Sequence, residues 1–101
     1  MSRRLELHEL LCELLGSDHV YYQPTTNVKM KYPCIRYEKD NIDSDYADDM
    51  SYSTHTRYQL TVIDKKPDNP VIEELLKQPY CGYERPYIAD NLYHDTLTIY
   101  Y

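Results

Sequence analysis

The chain has 101 residues, a net charge of −6 and a pI near 5.0. That size bounds it to one domain, residues 1–101, and the acidity argues against a general nucleic-acid binder, which needs a basic face to displace counterions. With three dispersed cysteines, two glycines and no apolar run near 20 residues, a disulfide framework, a zinc ribbon, a phosphate-cradling loop and a membrane span are all unsupported.

The segment 2–16 reads as a first helix. Ser2 is its cap, Leu7, Leu10, Leu11 and Leu14 form one apolar stripe, and Gly16 ends it. His8 and Glu9 fall off the stripe and are expected to face solvent. A short β-rich run, His19 to Tyr22, is followed by a connecting loop over 23–31. The next strand is expected over Cys34 to Lys39, with Pro33 at its mouth, and Asp40-Asn41 as a turn into an acidic loop. Strand character returns from Tyr52 to Ile63, where Tyr58, Leu60 and Val62 alternate with Arg57, Gln59 and Thr61. These two strands make a long hairpin.

Asn69 and Pro70 predict the cap and first residue of a second helix, with Val71, Ile72, Leu75 and Leu76 as its buried face and Pro79 as its stop. After a Cys81-Gly82 turn, Tyr83 to Ala89 and Leu92 to Tyr101 form a closing hairpin around Asp90-Asn91. The order α-β-β-β-α-β-β predicts an α+β fold: a single sheet of about five strands with two helices packed on one face.

All thirteen aromatic residues are tyrosine. A buried tyrosine hydroxyl needs a partner, whereas a half-buried ring keeps its polar end wet, as is common at protein–protein contacts. Leu, Ile and Val number only twenty-one, so the core is thin and oligomerisation is the simplest supplement. Tyr37 and Tyr58 on adjacent strands are the candidate subunit interface, with Arg36 and Arg57 as cross-subunit partners for carboxylates. Residues 38–49 hold six acids and one lysine, while the rest of the chain has ten bases and eleven acids. The candidate docking loop is therefore this acidic stretch, with Asp40, Asp43, Asp45, Asp48 and Asp49.

No catalytic, cofactor or metal site is expected. His94-Asp95 beside Tyr93 has no nucleophile near it in sequence, and Asp43, Asp45 and Asp49 lack the glycine and terminal glutamate of an EF-hand loop.

Three phrases are more specific than composition: Tyr32-Pro33-Cys34-Ile35-Arg36-Tyr37-Glu38, Thr56 to Asp64, and Pro79-Tyr80-Cys81 leading to Tyr87 to Asp95. From Tyr32 to the C-terminus the chain resembles the small tail completion, or tail terminator, proteins of long-tailed siphophages. The resemblance implies an α+β subunit of a homo-hexameric ring in the virion, assembled in the host cytoplasm. Such a ring caps the head-proximal end of the tail tube, stops its polymerisation and offers a face to the head–tail connector proteins. Its implied partners are copies of itself, the tail tube protein and the connector; it implies no membrane, no cofactor and no sequence-specific nucleic-acid contact. A head-side connector subunit is the first alternative reading and an acidic DNA mimic the second.

Overall fold

The computed structural model describes residues 3–25, 29–43 and 55–101. Its elements are α1 (Arg3–Leu15), β1 (Val20–Tyr22), β2 (Cys34–Asp43), β3 (His55–Asp64), α2 (Val71–Leu76), β4 (Cys81–Ala89) and β5 (Leu92–Tyr100). They form one five-stranded mixed sheet in the order β1-β2-β3-β5-β4, with β1 parallel to β2 and the other neighbours antiparallel. The α+β class and the element order are those expected.

Strand alternation builds the buried face. Register places Ile35 opposite Val62, Tyr37 opposite Leu60, and Leu60 opposite Leu97, so one face of three adjacent strands is continuously apolar. Leu7 and Leu11 of α1 and Val71 and Leu75 of α2 close over that face, and all of these residues belong to one core. In α1 the other stripe residues, Leu10 and Leu14, are half-buried against the same cluster. Gly16 has φ +82 and its N–H donates to Cys12 O at 2.9 Å, which ends the helix in the left-handed region that glycine adopts without strain. The expected cap Ser2 lies outside the described residues.

Several expectations need correction. His8 does not face solvent freely: it is half-buried, and its Nδ1 shares a 2.7 Å hydrogen bond with the Tyr37 hydroxyl. The strand expected to stop at Lys39 continues to Asp43. Asp40 is not in a turn but is the extra residue of a bulge between Lys39 and Asn41, which lets the ladder continue past it. The Cys81-Gly82 pair is strand, and Tyr80, with φ +62, makes the turn before it. Helix α2 has Asn69 Oδ1 accepting from Val71 N–H at 2.9 Å, as expected for the cap. It buries only Val71 and Leu75, leaving Ile72 half-buried and Leu76 exposed. A helix of six residues seats only one i, i+4 pair squarely on the sheet.

The closing hairpin turns through Asp90 and Asn91, with φ +53 and +61. Two consecutive left-handed residues match the twist of a two-residue hairpin, and Asp and Asn tolerate that region well.

Candidate functional site

The four residues expected at a subunit interface divide into two kinds. Tyr37 and Tyr58 are buried in the chain's own core, at 0% and 4% exposure, so they are not interface residues. Tyr37 packs in a ring cluster, its centroid 4.9 Å from Tyr22 and 6.0 Å from Tyr58. Its hydroxyl is satisfied by His8, which removes the cost that otherwise keeps tyrosine out of cores. Arg4 lies 4.3 Å over the Tyr22 ring and closes this cluster. Burial pushes the Tyr37 hydroxyl pKa up; burial and then the Arg4 charge push the His8 imidazole down.

The two arginines lie on the sheet face opposite the helices, and both are half-buried. Arg57 stands 2.9 Å from Asp40 Oδ2, so its carboxylate comes from its own chain. The approach is an ion pair and not a well-aligned hydrogen bond. The Asp40 bulge aims that carboxylate across to β3. Arg36 Nε is buried and makes no hydrogen bond among the described residues, so Arg36 keeps the role expected of it open.

Only part of the candidate docking loop lies within the described residues. Asp40 and Asp43 belong to β2, and Asp45, Asp48 and Asp49 lie outside the described residues. His94 and Asp95 do not form a catalytic pair with each other: His94 stacks on Tyr87 at 4.6 Å and its Nδ1–H donates to Leu92 O, while Asp95 accepts from Tyr83.

One surface feature among the described residues has no counterpart in the sequence-based expectations. A groove of about 880 Å³ lies between α2 and the β4–β5 hairpin. Its apolar lining includes Ile72 and Leu76 from α2 with Tyr83, Pro86, Ile88 and Tyr93 from the hairpin. Five of these are exposed, Ile88 at 67%. The cause is a mismatch of lengths. Helix α2 rises only about 9 Å over six residues, whereas a nine-residue strand spans about 30 Å, so the hairpin outruns the helix that covers it.

The groove's carboxylates give it an acidic lining. Asp68, Glu73 and Asp95 line it with His94, and no Lys or Arg does. The Tyr83 hydroxyl donates to Asp95 Oδ1 at 2.7 Å, and this bond pushes its pKa up to about 12, so Tyr83 is a fixed donor at neutral pH. A sequence signal did exist: Pro86 inside a strand marks an edge, and Pro79 so soon after Pro70 limits the helix above it.

Edge strand β4 carries two interruptions. Glu84 is an extra residue between Tyr83 and Arg85. There Thr96 Oγ1 accepts from Arg85 N–H at 3.3 Å and donates to Arg85 O at 2.9 Å. Arg85 thus turns its backbone polar groups toward β5, and Pro86, which has no N–H, turns its own to the free edge.

No protein-family model matches this chain, and no curated protein matches it in sequence.

Proposed function

We propose that the chain is a ring-forming structural subunit of the phage tail terminator kind, which caps a tail tube and joins it to a head. The observation that carries this reading is the apolar groove on α2 and the β4–β5 hairpin. An exposed patch of large apolar side chains beside a satisfied core is the mark of an interaction surface. Tyrosines at its floor and at the neighbouring turn suit a contact that is half wet. The α+β sheet is the architecture that the resemblance of residues 32–101 implies. The acidic stretch 38–49 supplies a charge of one sign for meeting a basic ring above or below.

Negative-stain imaging of the purified chain tests the ring: closed particles, six-fold if the resemblance holds, are expected. Binding to purified tail tubes, and not to tailless capsids, separates a terminator from a head-side connector. A chain that stays monomeric at millimolar concentration and on tail tubes contradicts the reading. Replacing Asp43, Asp45, Asp48 and Asp49 with Asn is expected to leave ring formation intact while slowing head–tail joining and weakening its salt dependence.

A further inference from the structure

We infer that the groove between α2 and the β4–β5 hairpin receives the β1 flank of a second copy of this chain, centred on Lys29 and Lys31. This rests on the ring reading above and adds which surfaces meet.

Charge complementarity selects the occupant. The groove has an apolar floor and an acidic lining of Asp68, Glu73 and Asp95. Lys65 and Lys66 precede it on the connecting bend but do not line it. A fitting partner therefore presents apolar groups with cations beside them. At the other edge of the sheet the chain carries such a surface. The backbone N–H of Lys31 donates to the Tyr21 hydroxyl at 3.1 Å, which pins the returning segment alongside β1. Lys29 and Lys31 are exposed there on either side of half-buried Met30, with half-buried Tyr32 following.

Topology fixes the kind of contact. β1 and β4 are the two edges of one sheet, so the surfaces are unlike and lie on opposite flanks. Joining them head to tail is a heterologous contact, which closes into a ring or runs on as a filament and does not stop at a two-fold dimer.

The edges also limit how the copies join. β1 has three residues, and β4 is broken by the Glu84 bulge and by Pro86 on its outer side. Both features discourage strand-to-strand addition. Docking therefore runs through the groove's side chains, with Ile88 and Leu76 as apolar anchors and the lysines at the acidic rim.

The test uses the full chain in sedimentation and mass photometry across concentration. Ile88→Asp, at an exposed position, is expected to keep the wild-type melting temperature and lose assembly. Lys29→Glu with Lys31→Glu is expected to weaken association about tenfold. Asp68→Lys with Glu73→Lys should do the same, and combining both reversed pairs should restore assembly. Mixing the Ile88→Asp chain with the Lys29→Glu, Lys31→Glu chain leaves one good groove facing one good flank, so a one-to-one dimer is expected at concentrations where the lysine variant does not assemble with itself. If the wild type forms rings and every variant forms them equally well, or if the combined reversal fails to restore them, the assignment of surfaces is wrong while the ring reading stands. If the wild type never assembles, the ring reading itself falls.

Discussion

The two ends of this sheet use the same residue type in opposite ways. Around α1, β1 and β2, Tyr37 is wholly buried, the tilted Tyr22 ring packs against it, and His8 takes up the hydroxyl. Around α2, β4 and β5, Tyr80, Tyr83, Tyr87 and Tyr93 are exposed. The difference lies in the cover each half receives. The thirteen-residue α1 lays Leu7 and Leu11 fully into the core, whereas the six-residue α2 runs out before the hairpin does. Tyr37 enters the core where a helix covers it and brings a polar partner, and the tyrosines of the hairpin stay at the surface where α2 does not reach. One half is thus built for stability and the other is left with surface to bury.

The comparison breaks first at the core. Leu11→Ala and Leu75→Ala each remove a side chain with no exposed area and are expected to cost about 2–5 kcal/mol, a large share of the stability of a small domain. Denaturant melts check this, and an unchanged midpoint would place either helix elsewhere. A smaller effect is expected at the buried ring. Tyr37→Phe keeps the packing but leaves His8 Nδ1 to find water, at a cost of about 1 kcal/mol.

His8 sharpens the same contrast through pH. Its folded pKa lies below the ordinary 6.5, chiefly from burial and then from Arg4. The unfolded chain therefore takes up the proton first. Stability from this site is complete above about pH 6.5 and is lost as pH falls through the folded value. Melting temperature measured between pH 7 and 5 should drop more for the wild type than for His8→Gln. Parallel profiles would remove His8 from the account. The smallest effect on folding is expected in the other half: Ile88→Ser should keep stability within about 0.5 kcal/mol.

Much of the fold was legible because its signals are local. The alternation of Tyr58, Leu60 and Val62 predicted β3, and Asp90-Asn91 predicted the turn where two left-handed residues in fact sit. What was not legible depends on partners far apart in the chain. His8 and Tyr37 are 29 positions apart, and nothing near either one announces their bond. For the same reason Tyr37 and Tyr58 were misplaced at an interface: the pattern placed them on a strand face but could not say that α1 covers that face. Asp40 read as a turn residue because Asp-Asn favours turns, yet the ladder to β3 continues past it as a bulge that pairs it with Arg57. The groove follows from a difference in the lengths of two elements, which Pro86 and the short Pro70–Pro79 spacing signal only indirectly.

Hydrogen exchange of the wild-type chain at low and high protein concentration tests the contrast between the halves most directly. The account predicts that amides of α1, β2 and β3 are protected equally at both concentrations, while β4 from Tyr83 to Ile88 and the Lys29–Lys31 segment are only partly protected in the dilute chain and gain further protection as the chains associate. Protection of β4 that is already full in the dilute monomer, or that never changes on assembly, would contradict it.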